Sequence, residues 1–387
     1  MQNFNFHVPT KILFGQNKVN EIGNEIKKYG TRILLAYGGG SVKKIGLYDQ
    51  VVEQLNENGI SYFELSGIKP NPRVTSVREG VKICRENDID FILAIGGGSV
   101  IDASKAIAAA VNYEGDPWDF SVQKAKVKDP LPLGTVLTLA ATGSEMNGNA
   151  VISNEETQEK KGMASNSLRP KFSVLDPVYT FSVNRYHTAA GTVDIMSHIF
   201  ENYFAPSSGT FVQDAMAESI LKTCIKYGPI ALDEPENYDA RANLLWAGSL
   251  ALNGLTLTGK LMGDWATHGI EHEVSAIYDL THGAGLAIIH PVWMQYVLNE
   301  KTAPKFAQMA RNVWNVEEQD DMEAAQKGIN AVRAFFDSLE MPARLSDVDI
   351  SGDHFDAMAE KACCFGKIGS FKRLEPKDVR AILDNAL

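Results

Sequence analysis

The chain has 387 residues, enough for two or three domains at about 150 residues each. With 44% hydrophobic and 22% charged residues it is expected to fold, which excludes a disordered chain, a coiled coil or a collagen-like repeat. A formal net charge of −11 gives no general attraction to phosphate backbones or anionic lipid, so neither nucleic acid nor a membrane surface is an expected partner.

The N-terminal stretch MQNFNFHVPTKILFG has neither the basic nor the apolar region of a secretion signal. No later run approaches the roughly 20 apolar residues that span a bilayer. Its KILFG segment reads as a strand, either at the edge of this chain's own sheet or reaching a second subunit. Residues 32–37 (RILLAY), 60–65 (ISYFEL), 91–95 (FILAI) and 134–139 (GTVLTL) each read as a buried strand. Between them, Val51, Val52 and Leu55 mark a helix stopped at Gly59, and Val74, Val77, Val81 and Cys84 mark another. Strands alternating with amphipathic helices predict a parallel sheet covered on both faces, with ligands at the carboxyl ends of its strands. Beyond Asp176-Pro177 the strand signal fades, and residues 241–255, 320–339 and 353–364 read as helices. The expected organisation is a Rossmann-like α/β domain over residues 1–177 and an all-α domain over 178–387, with a cleft between them. Four cysteines without a C-x-x-C make neither a disulfide framework nor a thiolate zinc site, and a reducing cytoplasm is the expected compartment. The adjacent pair Cys363-Cys364 reads as small apolar filler.

Two of the strands run into the same glycine turn. RILLAY leads into Gly38-Gly39-Gly40-Ser41 and FILAI into Gly96-Gly97-Gly98-Ser99. A glycine turn between a strand and a helix lets backbone N–H groups approach an anion at the positive end of the helix dipole. Neither turn is G-x-G-x-x-G, because Lys43 and Ile101 stand at the third glycine position. One such turn is as readily a tight structural turn as a phosphate site, whereas two in one sheet favour a dinucleotide phosphate. A third polar turn follows GTVLTL, from Ala140 to Glu145. Its hydroxyls at Thr142 and Ser144 suit a pyrophosphate or a nicotinamide amide, and Ser144 serves equally as a helix cap.

Six of the eight histidines fall between residues 187 and 290. Asp194 and His198, and likewise His268 and His272, stand four apart, which places each pair on one face of a helix. Asp194, His198, His268 and His282 together could form a nitrogen/oxygen site for Fe²⁺ or Zn²⁺ with a position open to substrate oxygen. The bland alternative is a helix-surface hydrogen bond at Asp194/His198 and satisfied core histidines elsewhere. His187 and His290 lack a partner at helical spacing and read as structural or rim residues.

The glycine turn with Asp102, the TGSE segment at 142–145, the D-x-x-x-H pair at 194–198, and H-x-x-x-H at 268–272 followed by His282-Gly283 together resemble the iron-containing (group III) alcohol dehydrogenases. The resemblance spans essentially the whole chain, and it is nearest the butanol-dehydrogenase-type branch. It implies the dehydroquinate synthase-like fold of that family and NAD(P)H-linked interconversion of primary alcohols and aldehydes. By resemblance, Asp194, His198, His268 and His282 ligate one divalent metal. Gly96, Gly97, Gly98 and Ser99 form the pyrophosphate turn, and Asp102 lies near the nicotinamide as a cofactor contact and a candidate catalytic residue. Asn71, Thr138, Thr142, Asn147 and Lys160 contact the cofactor, and His272 lines the nicotinamide side and is the candidate proton relay. Many NAD-preferring relatives carry an aspartate in the first glycine turn. Here the sequence shows no carboxylate opposing a 2′-phosphate, while Ser41, Lys43 and Lys44 could receive one, so NADP(H) is expected over NAD(H). Phe200, Trp265 and Leu286 are candidates to line an alkyl pocket or are ordinary packing residues. A homodimer is expected. A glycerol-dehydrogenase-like polyol oxidoreductase and a metal-dependent hydrolase are the rival readings.

Overall fold

The computed structural model describes all of residues 1–387. It contains two compact units, the first formed by residues 7–183 and 235–253 and the second by residues 1–6, 184–234 and 254–387.

The first unit is built on strands β1 (Lys11–Phe14), β2 (Arg32–Tyr37), β3 (Ser61–Leu65), β4 (Phe91–Gly96), β5 (Leu133–Leu137), β6 (Asn149–Asn154), β7 (Glu159–Ala164) and β8 (Phe172–Leu175). Six of them form one parallel sheet in the order β1-β8-β5-β4-β2-β3. Helices α1 (Ile22–Ile26), α2 (Ser41–Lys44), α3 (Leu47–Glu57), α4 (Val74–Glu86), α5 (Gly98–Ala110) and α6 (Trp118–Ser121) fill the connections. Successive strand residues point to opposite faces, so one strand feeds two cores. Leu34, Ala36, Ile92 and Ala94 pack with residues of α4 and α5, while Ile33, Leu35, Leu93 and Ile95 pack with residues of α1 and α3. The strand order reverses between β2 and β4, and ligands of such sheets bind at the carboxyl ends on either side of that reversal. The two glycine turns follow those two strands.

The KILFG segment is an edge strand of its own chain's sheet, paired with β8. Residues 60–65 depart from expectation. They form the other edge, and only Leu65 of β3 is fully buried, because no strand or helix covers the outer side of an edge. The antiparallel hairpin β6–β7 and strand β8 lie beyond the strands read from the sequence.

The second unit is helical. Helix α7 (Arg185–Tyr203) is capped by the Asn184 side chain, which accepts from the His187 N–H at 2.8 Å, and it is buried on every side from Thr188 to Tyr203. A helix buried all round forces its ionisable residues inward. It is followed by α8 (Phe211–Asp233). The next helix, α9 (Tyr238–Ala251), lies past the expected division at 177/178 yet groups with the first unit, where Leu245 joins the core of α4 and α5. Burying that leucine is worth about 1.5–3 kcal/mol, which is the physical reason the return is stable. The remaining helices are α10 (Ala266–Tyr278), α11 (His282–Val297), α12 (Ala303–Trp314), α13 (Asp321–Ser338), α14 (Phe355–Ala362) and α15 (Pro376–Asn385). The N-terminal residues join this unit through hydrogen bonds from Met1 to the Ser208 carbonyl and from Gln2 N to Gly259 O, both 2.8 Å. Cys363 and Cys364 are not core filler: they follow α14, the first half-buried and the second exposed. No helix is long and apolar enough to cross a membrane.

Candidate functional site

In the first unit, the second glycine turn passes from β4 straight into α5. A Cβ at Gly98 would lie 2.4 Å from Thr142 Oγ1, so only glycine lets the TGSE turn approach this closely. The Thr138 N–H donates to the Gly96 carbonyl at 3.1 Å and ties the end of β5 to the same turn. One helical turn along α5, Asp102 accepts from the Ser144 hydroxyl at 2.5 Å and from the Val151 N–H at 2.9 Å. Both oxygens of Asp102 therefore hold the chain's own TGSE turn and β6.

Lys105 has no counterpart in the sequence reading. It is fully buried, and its ammonium donates to Ser144 Oγ (2.8 Å), Asn147 Oδ1 (3.1 Å) and the Asn149 carbonyl (2.7 Å). Burial pushes it down to about 8, against the opposing pull of the Asp102 and Glu145 carboxylates. Asn147 donates in turn to the Gly143 carbonyl at 2.9 Å. Thr138, Thr142 and Asn147 are thus drawn into one bonded framework around Gly96–Gly98 and Asp102. Asn71 is buried in the left-handed region at φ 50°, and the following Pro72 carbonyl accepts from Ser153 of β6 at 2.8 Å. Lys160 is buried on β7, in register with Ser153.

The first turn is more exposed, with Gly39, Gly40 and Ser41 open to solvent. Here one expectation is corrected, since a carboxylate does stand beside it. Glu64 of β3 accepts from the hydroxyls of Tyr37 and Tyr48 and lies 3.9 Å from the Lys43 ammonium. Sequence distance hid it, because β3 joins β2 only through the sheet.

In the second unit, the Nε2 atoms of His198, His268 and His282 stand 3.5, 3.9 and 3.7 Å from one carboxylate oxygen, Oδ1 of Asp194. These separations are too long for hydrogen bonds. Asp194 Oδ1 and His268 Nε2 are buried with no hydrogen-bond partner. Two ligand atoms each about 2.0–2.2 Å from a four-coordinate cation stand roughly 3.3–3.6 Å apart, so the orphaned atoms suit a divalent cation, with His268 and His282 drawn in slightly from 3.9 and 3.7 Å. Asp194, His268 and His282 are mutually close, and the His198 ring stacks on His268 with centroids 4.9 Å apart. Burial pushes His198 down to about 4, which keeps it neutral, with one ring nitrogen unprotonated and able to ligate. Asp194 and His198 come from α7, His268 from the first turn of α10, and His282 opens α11.

Two buried glutamates orient these rings. His268 Nδ1 is 3.0 Å from Glu201 Oε1, and His282 Nδ1 bonds Glu271 Oε2. A carboxylate at Nδ1 takes the N–H and leaves the Nε2 lone pair aimed at a metal. Glu201 also accepts from the Thr267 hydroxyl, the His268 N–H at 3.1 Å and the Trp265 N–H at 2.6 Å. Burial alone would raise the Glu201 carboxyl, but the hydrogen bonds and imidazoles hold it below the usual carboxylate range. Trp265, left-handed at φ 62°, is fixed by that bond. The His282-Gly283 pair has its own steric reason: a Cβ at Gly283 would meet the Ala190 carbonyl oxygen of α7 at 2.0 Å. Glycine there lets α11 press its first residue against Asp194.

His272 is half-buried, with its ring 5.4 Å from that of His282. His290 is fully buried between Phe200 and Trp293, with ring centroids 5.0 and 5.7 Å away, and His187 is exposed. Phe200 and Leu286 are fully buried, and Phe200 packs on Phe204, so they are packing residues; Trp265 is partly open, its ring 5.2 Å from that of His268.

A parallel sheet with glycine turns at its reversal point, and a three-histidine, one-carboxylate cluster in a helical unit, are the features expected of an oxidoreductase that uses a dinucleotide and a metal ion. Residues 9–177 match the family described as iron-containing alcohol dehydrogenase, and residues 188–387 match the C-terminal region of the same family. The chain is 52% identical over 385 residues to NADH-dependent butanol dehydrogenase A of Clostridium acetobutylicum, covering 99% of each. It is 44% identical over 364 residues to the NADPH-dependent aldehyde reductase YqhD of Escherichia coli, covering 93% of each. The crystal structure of NADH-dependent butanol dehydrogenase A from Thermotoga maritima superposes with a TM-score of 0.96 at 42% identity, covering 100% of this chain and 99% of that one. The chain belongs to the iron-containing alcohol dehydrogenase family, in its butanol-dehydrogenase-like branch. It is an oxidoreductase of the alcohol/aldehyde class, and the hydrolase reading falls away.

Proposed function

We propose that the protein interconverts primary alcohols of butanol type and their aldehydes by hydride transfer, with one Fe²⁺ or Zn²⁺ and with NADP(H) preferred over NAD(H). The observation that carries this reading is the convergence of three imidazole nitrogens on Asp194 Oδ1. When bound, the dinucleotide carries the hydride and the cation polarises the oxygen of the reacting carbon. Asp194, His198, His268 and His282 would hold the cation, with Glu201 and Glu271 fixing two of the rings.

Gly96, Gly97, Gly98 and Ser99 would cradle the pyrophosphate at the start of α5, and Gly38, Gly39, Gly40 and Ser41 the adenosine end. Asn71, Thr138, Thr142, Asn147 and Lys160 would line the same cofactor. Asp102 acts as a positioning residue, since its oxygens are spent on Ser144 and Val151. His272 would pass the alcohol proton toward solvent, supported by its partial exposure and its place beside His282. His272→Ala should then lower kcat and remove a step from its pH profile; an unchanged profile rejects the relay.

The central test pairs elemental analysis of the purified protein with NADPH and NADH absorbance assays on butanal, before and after chelation. Loss of turnover on chelation, recovery with Fe²⁺ or Zn²⁺, and a higher kcat/KM with NADPH are expected. Clearly better use of NADH rejects the cofactor preference, and full activity in His268→Ala without bound metal rejects the ligand set.

The edge strand β1 carries half-exposed Phe14 beside Trp246, with ring centroids 6.2 Å apart. An open strand edge with an apolar strip supports a homodimer. Sedimentation equilibrium checks it, and a monomer at assay concentration rejects it.

A further inference from the structure

Lys43 is the cation nearest the first glycine turn after Ser41, yet it is already engaged. Its ammonium sits 4.3 Å from the Tyr48 ring centroid, 5.1 Å from that of Tyr37 and 3.9 Å from Glu64 Oε2. The two tyrosine hydroxyls donate to the two Glu64 oxygens and lock the carboxylate in place. Those hydrogen bonds, Tyr37 first, hold Glu64 below the usual carboxylate range against a smaller desolvation of its site. The cage therefore carries one positive and one negative charge. Lys44, its neighbour in α2, is exposed.

The position of Glu64 is set by the sheet. Parallel register pairs Leu35 with Glu64 and Ala36 with Leu65, so the carboxylate lies at the carboxyl end of β3, next to the strand that enters the turn. In doubly wound sheets an acidic residue at the carboxyl end of a strand flanking the cofactor crevice contacts the adenosine ribose. A carboxylate there opposes a ribose 2′-phosphate, and here it also draws the nearest lysine onto itself.

We propose that Glu64 is a specificity-determining residue, which holds Lys43 in the tyrosine cage and so limits preference for a 2′-phosphorylated dinucleotide. The inference rests on the reading that the first turn receives the adenosine end. It implies that discrimination between the two cofactors is modest in the natural protein, with Ser41 and Lys44 left to receive the phosphate.

The test titrates full-length protein with NADPH and with NADH by the fluorescence of the reduced nicotinamide, so that binding is read without turnover. In Glu64→Gln the ratio Kd(NADH)/Kd(NADPH) should rise about three- to fivefold, the scale of an exposed lysine–phosphate contact. The rise should be clearly smaller in Glu64→Gln/Lys43→Met, where only the loss of the carboxylate's own repulsion remains. Lys43→Met alone, which leaves the tyrosine–carboxylate bonds intact, should weaken NADPH by less than about twofold. An unchanged or lower ratio in Glu64→Gln overturns the proposal, as does a rise that is undiminished in the double variant or a larger loss in Lys43→Met. Failure of the natural protein to bind either dinucleotide overturns the functional reading and this inference together.

Discussion

Glu201 touches no substrate in the reading above, yet replacing it should be felt at the metal. In Glu201→Gln one carboxylate oxygen becomes an NH₂. If the amide oxygen stays on the His268 side, the NH₂ faces the Trp265 N–H that now approaches to 2.6 Å, donor against donor. If the amide flips, the NH₂ meets His268 Nδ1 and pushes the ring toward the wrong tautomer. Either way a buried group loses its partner, a cost of about 1–3 kcal/mol. Loss of an outer carboxylate behind a ligand histidine usually weakens metal affinity about 10- to 100-fold, or roughly 1.4–2.7 kcal/mol. The assay is competition for Zn²⁺ between metal-stripped protein and a chromophoric chelator, with circular dichroism to verify folding and His268→Ala as the reference for a lost ligand. A folded Glu201→Gln protein that binds Zn²⁺ within about twofold of the natural one would refute the orienting role.

Gly283→Ala should separate α11 from α7, because its Cβ would meet a backbone carbonyl at 2.0 Å. A loss of about 1–3 kcal/mol in denaturant unfolding is expected, together with weaker metal retention through the displaced His282. His290 is pushed down to about 3, chiefly by burial, and both of its ring nitrogens lack partners. Its folded pKa lies below its unfolded one, so the unfolded chain binds the extra proton as pH falls from about 6.5 towards 3, and stability present above that range is lost within it. His290→Leu should therefore resist acid better than the natural protein, read as a lower pH midpoint of acid unfolding; an equal or higher midpoint counts against the argument. Lys105→Met should strand Ser144, Asn147 and the Asn149 carbonyl, raising the Kd for both dinucleotides about tenfold with little effect on metal content. Equal binding by fluorescence titration would show that the ammonium is not needed to shape the TGSE turn.

Much of this site was legible because its chemistry follows local periodicity. The i,i+4 pair at Asp194/His198 and the glycine turns after apolar strands are short-range signals, and the structure gives each a geometric reason. What escaped is what acts across elements. Glu201 sits three residues after His198 but serves His268, and Glu271 sits three after His268 but serves His282. The repeated H-x-x-E spacing was visible, but its partners are exchanged between helices. Lys105 is the one charge in KAIAAA, yet nothing local says where its ammonium goes. Glu64 was hidden in an apolar run, and its place beside the turn depends on β3 pairing with β2.

The return of α9 has a consequence for how the chain can be made. A ribosome that has released residue 183 has synthesised every strand of the sheet, but not Leu245 or the Ser249 hydroxyl that bonds the buried Glu145. The sheet unit must wait, incomplete, through all of α7 and α8 before its last piece emerges. Long-range closure of this kind slows folding and prolongs the life of exposed apolar surface during synthesis. A fragment ending near residue 183 should accordingly be far more prone to aggregate than one carried on to residue 253.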